Sequence, residues 1–251
     1  MSKTLITGNI KPLWATDTTE VEFLSRTDTN YSKVRLSALK ERGIENALFN
    51  ALILHLPKGC VIAGGFMTSL LQEDKHAKDV DIFCTTEQSF KDVCNMLISP
   101  SEPKDSDDGD TLWAYRGYST NTEISKFNDH NESVRFLKFV HEGDKRPEIQ
   151  VMKMSWYTDA AHVIDTFDLT IAQIATDGEF IYMNPLTPFD LAKKRLVLHR
   201  MQFPASTIRR VVKYASKGYY ACPGSLVNIS REIQSWTTKV DIDEENFVYL
   251  D

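Results

Sequence analysis

The sharpest pattern of apolar and polar positions lies between residues 60 and 84. Val61, Ile62 and Ala63 form a short apolar run that ends at Gly64-Gly65, and Phe66, Met67, Leu70 and Leu71 then recur at helical spacing. This predicts a strand over 60–63, a glycine turn and a helix. Asp79, Val80, Asp81, Ile82 and Phe83 read as a second strand over 78–84. Side chains alternate across a strand, so Asp79 and Asp81 share one face while Val80 and Ile82 share the other. A helix over 86–98 sets Phe90, Val93, Met96 and Leu97 on one side. Upstream, Leu36, Leu39, Ile44, Leu48, Leu52 and Ile53 space a helix over 33–56, interrupted near Gly43 and stopped by Pro57-Lys58-Gly59. Residues 1–33 are polar and Thr-rich, an irregular arm with one short strand at 21–24.

Beyond residue 98 the pattern breaks. Residues 99–110 are acidic and turn-rich, which predicts an exposed loop. Strands are expected over 111–118, 134–140 and 148–154, with a hairpin turn at Glu142-Gly143-Asp144. A short helix over 160–164 is followed by a buried helix over 166–178 that ends at Asp177-Gly178, then by a strand over 180–182. Residues 188–198, 206–217 and 225–237 are helical by period, and the acidic 241–251 reads as a loose tail. The shift near residue 186 divides the chain into 1–185, a mixed α/β domain that includes the arm, and 186–251, a helical region. The expected class is α/β (α+β): a mixed, twisted β-sheet with helices on one side, followed by the C-terminal helices.

Composition narrows the setting. A chain of 251 residues is long enough for a sizeable core. Its 42% hydrophobic and 25% charged content is that of a soluble globular protein. The net charge of −6 supplies no global basic field, so any nucleic-acid contact must come from a local patch. Cys60, Cys84, Cys94 and Cys222 form no CxxC pair, which speaks against a zinc site or a disulfide scaffold and fits a reducing compartment. No apolar run approaches the ~20 residues of a membrane span, and the N-terminus lacks a signal-peptide core, so the expected address is the cytoplasm, without a membrane partner.

The candidate chemistry follows from the two strands. Adjacent carboxylates repel, and a cation between them relieves the repulsion. Gly64-Gly65 lets backbone approach a bulky anion, and the helix after it turns free N–H groups toward that anion. Thr68 and Ser69 add hydroxyl donors, and Lys78 stands beside the carboxylates. These parts suit a nucleoside triphosphate with magnesium (manganese as an alternative). A third acidic donor is open between Glu148 and Asp168: Gln150 shares a strand face with Glu148, and Asp168 can instead cap the helix expected after it. Arg209, Arg210, Lys213 and Lys217 can form a cationic helix face, extended by Lys193, Lys194, Arg195 and Arg200, although such charge runs are commonly just solvated. Tyr214, Tyr219 and Tyr220 beside it are candidates for base stacking or for core packing. The six histidines do not cluster, and none is assigned a nucleophilic or general-base role.

Gly64-Gly65, the thirteen residues 66–78 and Asp79-Val80-Asp81-Ile82 together resemble the signature of the DNA-polymerase-β-like nucleotidyltransferase superfamily. The resemblance implies two magnesium ions held by Asp79 and Asp81 in a two-metal in-line displacement, with a third carboxylate from a neighbouring strand. A second similarity is to the segment after the catalytic hairpin in CCA-adding and poly(A) polymerases of bacterial type. It rests on Phe167 to Ala175, Asp177-Gly178 and Asp190-Leu191. There an Arg-Arg-Asp-x-x-x-Asn pattern contacts the sugar; here Thr166, Phe167 and Ala172 replace its arginines and asparagine, and only Asp168 is kept. The implied activity is transfer of a nucleoside monophosphate from an NTP to a hydroxyl with release of pyrophosphate. The implied acceptor is an RNA 3′ end (tRNA included), a protein side chain or a small molecule. The competing reading is a non-catalytic descendant of the fold that binds nucleotide or protein, favoured by Gln150 and the missing arginine pair. A metal-dependent phosphohydrolase would need a second histidine- or carboxylate-rich cluster, which the sequence lacks.

Overall fold

In the computed structural model, which describes residues 21–26, 29–41, 46–72, 77–98, 118–120, 136–141, 146–153 and 155–237, the chain opens with a hairpin. Val21–Arg26 (β1) pairs antiparallel with Thr29–Arg35 (β2). The described part of the expected irregular arm is therefore sheet. Ser37–Glu41 (α1) and Ala47–His55 (α2) follow, with Asn46 capping α2 by accepting the Phe49 N–H at 3.0 Å. Cys60–Ala63 (β3), Gly65–Leu71 (α3), Asp79–Cys84 (β4) and Glu87–Ile98 (α4) occupy the expected places. Thr86 and Ser89 exchange backbone-to-hydroxyl bonds of 3.0 Å at the start of α4, fixing its entry. Tyr118–Ser119 (β5), Phe136–His141 (β6) and Glu148–Met152 (β7) complete that half of the sheet. The 99–110 loop, the strand residues 111–117, the hairpin turn at 142–144, the break at Gly43 and the acidic tail lie outside the described residues.

After Ala160–Asp165 (α5), the structure departs from the expected helix over 166–178. A single 3-10 turn, Thr170–Ala172, leads into the strand Ile174–Thr176 (β8), which forms a hairpin with Phe180–Met183 (β9). Thr170, Ile171, Ile174 and Thr176 are β-branched, and β8 fills a slot between β3 and β9 that supplies ladder partners on both sides. Asp177 shapes the turn by accepting the Phe180 N–H at 2.8 Å, and Gly178 adopts φ +94°.

Thr187–Ala192 (α6) is shorter than the helix expected over 188–198. Lys194 turns left-handed (φ 51°) and Arg195–Leu196 (β10) runs extended. In a continuous helix residues five apart point about 140° away from each other. The break instead returns Arg195 to Asp190, whose carboxylate accepts Arg195 Nε at 2.7 Å and Nη2 at 2.6 Å. Pro204–Ser216 (α7), Tyr220–Ala221 (β11) and Pro223–Thr237 (α8) complete the described chain. β10 and β11 pair parallel, so the C-terminal region is not wholly helical.

The sheet order is β1-β2-β9-β8-β3-β4-β7-β6-β5, with β4 and β7 parallel and the other neighbours antiparallel. One face carries Ile62, Val80, Ile82, Ile149 and Val151 and packs under α2, α3 and α4. Leu191, Leu196 and Tyr219 join the same core, which is thus continuous across residue 186. The opposite face is not bare. Val61, Ala63, Phe83 and Ala175 pack there against Ala160, Ala161, Val163 and Ile164 of α5, so helices flank both sides rather than one. The four cysteines are free thiols. No described helix is long and apolar enough to cross a membrane.

Candidate active site

β4 lies inside the sheet, between β3 and β7, so the two aspartates stand on an interior strand and not at the sheet edge. The expected alternation holds: Val80, Ile82 and Cys84 are buried under α3 and α4, whereas Asp79 and Asp81 are half-buried on the face of Phe83. The parallel register sets Glu148 beside Asp79 and Gln150 beside Asp81. An amide thus stands where the strand neighbour of Asp81 would otherwise bring a carboxylate. Glu148 is engaged by Lys138 Nζ at 2.7 Å on the exposed side of the sheet.

Gly64 closes the other wall. Its φ of +81° with ψ of −140° is open to glycine and strained for any L side chain. A methyl group there would come within 3.4 Å of Phe167 Cε2 and 3.7 Å of Asp81 Oδ2, whereas one at Gly65 would meet nothing within 4 Å. The β3–α3 turn therefore passes close to the Asp81 carboxylate and leaves open space above Gly65. Gly64→Ala is expected to cost about 1–3 kcal/mol from backbone strain, and Gly65→Ala little or nothing; thermal melts of the two variants check the contrast.

The two hydroxyl residues of α3 are both buried. Thr68 is buried and donates to the Ile171 carbonyl at 2.8 Å, fastening the glycine helix to the loop before β8. Ser69, also buried, lines a small pocket with Phe66, Leu70, Ala77 and Pro147. Lys78 is exposed, and its carbonyl accepts the Glu148 N–H at 2.9 Å.

Asp168 neither caps a helix nor stands free. It is buried, and Oδ2 accepts Thr207 Oγ1 at 2.8 Å and Arg210 Nη1 at 2.6 Å from the first half of α7. That contact selects among the basic residues. Arg210, rather than Arg209, turns toward the site, and with Lys213 it lies close enough to act on Asp81. Arg209 is exposed on the outer side of α7. Sequence periodicity groups 209, 210 and 213 on one helix, but only the packing of Thr207, Val211 and Tyr214 reveals which face turns inward. Tyr214 and Tyr219 pack against each other with ring centroids 5.4 Å apart, and Tyr219 Oη donates to Gln72 Oε1 at 2.7 Å. Tyr219 belongs to the core, Tyr214 packs against it partly buried, and Tyr220 is exposed.

Burial, and then the charge of Asp79, push Asp81 up to about 7, with Arg210 and Lys213 opposing the shift. A carboxyl held up by desolvation and a like charge, among hard oxygen donors, suits a divalent cation such as magnesium. Asp79 and Asp81 are the residues that could hold such an ion, and Gln150 is the register partner of Asp81 on the adjacent strand. Among the described residues, no group of three or more His, Cys, Asp or Glu side chains converges on one point. The acidic side chains that the register sets side by side here are Asp79, Asp81 and Glu148.

A family model described as "Gad2: Gabija anti-defense 2 family protein" matches residues 32–194. No curated protein matches the chain. Solved CCA-adding enzymes carry the same fold. A Thermotoga maritima CCA-adding enzyme complexed with tRNA is 11% identical, with a TM-score of 0.51 over 81% of this chain and 46% of that one. A CCA-adding enzyme with ATP is 11% identical (TM-score 0.54) and one with CTP 13% identical (TM-score 0.52), each over 83% of this chain and 48% of the other. This chain thus spans about half the length of those enzymes. The polymerase-β-like nucleotidyltransferase fold expected from the glycine pair and the two aspartates is the fold observed.

Proposed function

The chain belongs to the Gabija anti-defense 2 family, and on that premise we propose that it is a magnesium-dependent nucleotidyltransferase. It would transfer a nucleoside monophosphate from an NTP to a hydroxyl on RNA, protein or a small molecule. The observation that carries this reading is the close approach of the Gly64 turn to Asp81, with open space above Gly65 and the cations of α7 beside it. The solved relatives named with ATP and CTP support the nucleotide as donor.

In this reading Gly64 and Gly65 leave room for the triphosphate, and Arg210 and Lys213 balance its charge. The acceptor oxygen bonds to the α-phosphorus as the bond to pyrophosphate breaks, and the acceptor proton is lost to solvent. Asp79 and Asp81 would hold magnesium, which supplies countercharge to the triphosphate and acidifies the acceptor hydroxyl. Glu148, beside Asp79 and paired here with Lys138, would be the third acidic donor to the metal.

Gln150 beside Asp81 favours a second reading, a nucleotide- or protein-binding module that has lost the chemistry. One experiment separates the two: the protein is incubated with each labelled NTP, magnesium and cell extract, beside an Asp79→Ala, Asp81→Ala double variant. Label on RNA, protein or a small molecule with the wild type alone is the expected result and names the acceptor class. Tight binding of NTP and magnesium without label moves the assignment to the binding module. Label that survives the double variant removes Asp79 and Asp81 from the metal site.

A further inference from the structure

We infer that Asp168 is a positioning residue: it fastens α7 against the Asp79–Asp81 end of the sheet, so that Arg210 and Lys213 face the site. The fastening stands on geometry alone; its consequence for nucleotide rests on the reading above. Both donors to Asp168 come from one turn of α7, Thr207 Oγ1 at 2.8 Å and Arg210 Nη1 at 2.6 Å, and both meet Oδ2. The Asp168 backbone carbonyl also accepts the His199 N–H at 2.7 Å, which ties the segment leading into α7 to the same point.

At its far end α7 is held again. The Lys217 and Gly218 amides close the last turn, and Tyr219 then packs on Tyr214 and bonds Gln72, the residue that ends the glycine helix α3. The helix is thus pinned between the loop before β8 and the end of α3. Lys213 lies three residues after Arg210 and shares its side of α7. Arg210 keeps about half its side chain exposed despite its bond to Asp168, and a guanidinium has five N–H donors, so contact with Asp168 leaves donors for an anion.

A buried carboxylate requires countercharge and donors, so removing it releases the first turn of α7, while a buried carboxylate without Arg210 is itself destabilised. A second buried carboxylate three residues earlier repeats the arrangement. Asp165 accepts the Tyr31 hydroxyl and Arg200 Nη2, the latter at 2.7 Å, on the connection that enters α7. The Asp168–Arg210 contact thus joins the loop to α7 itself, and the Asp165–Arg200 contact holds the connection that enters it.

The test compares wild type, Asp168→Asn, Arg210→Ala and the double variant by hydrogen exchange and by MgATP binding. In Asp168→Asn, amides of 206–216 are expected to exchange at least about tenfold faster while those of β3 and β4 keep their protection, and MgATP affinity falls about tenfold. The double variant is expected to bind MgATP no more weakly than Arg210→Ala alone, because Asp168 acts through Arg210. Unchanged exchange in 206–216, or fully additive losses in the double variant, overturns the inference. Where Asp168→Asn fails to fold, Thr207→Val removes one donor and is expected to give the same exchange pattern at smaller amplitude. If the wild type does not bind MgATP, the nucleotide reading fails by itself and the exchange result still decides the role of Asp168.

Discussion

Asp81→Asn is expected to stabilise the metal-free protein above pH 7 and to abolish the proposed nucleotidyl transfer. The two effects have one cause. Burial and Asp79 push the Asp81 carboxyl up to about 7, against about 3.9 for an unfolded aspartate. Below about pH 4 both states carry the proton and the group costs nothing. Between about 4 and 7 the folded protein keeps a proton that the unfolded chain has released, so stability falls as pH rises, and above 7 the loss is complete. Asparagine removes the ionisation, for an expected gain of roughly 2–4 kcal/mol at pH 8 and about a quarter of that at pH 4.5. Urea titrations at both pH values in the presence of chelator measure it. Magnesium added at pH 8 is expected to stabilise the wild type and to leave Asp81→Asn unchanged, because the cation removes the repulsion only where the second carboxylate exists. Equal stability of the two proteins at pH 8 would show that water, not protein, surrounds Asp81.

The second large effect lies away from the site. Asp190 is completely buried and accepts Thr170 Oγ1 at 2.5 Å together with Arg195 Nε and Nη2. Asp190→Ala strands the Arg195 guanidinium, three-quarters shielded from solvent, and the Thr170 hydroxyl. Breaking a buried pair by removing one partner costs about 3–5 kcal/mol, a large fraction of the stability of a domain. The expected result in chemical denaturation is a single, much earlier transition, because Asp190 holds α6 to the turn before β8 and the core runs through both. Two separated transitions, with the sheet unaffected, would instead make residues 186–237 an independent unit.

The alternation Asp-Val-Asp-Ile, the glycine pair before a helical run, and the helices over 86–98, 206–217 and 225–237 were legible in the chain itself. Each depends on contacts a few residues apart, and side-chain direction along a strand or helix follows from local geometry. They suffice for the fold family and for placing both carboxylates on one face. Residues 166–178 were not legible in this way. Their apolar run suits a buried helix or a buried strand equally, and only the vacant ladder positions of β3 and β9 decided for β8. Nor does periodicity choose Arg210 over Arg209. The inward face of α7 is set by Thr207 and Arg210 meeting Asp168, thirty-nine and forty-two residues back along the chain. The same holds for Lys138 engaging Glu148 and for the Arg195 contact that ends α6 early. A buried charge takes whichever partner the tertiary structure brings within reach, and no spacing in the sequence encodes that distance.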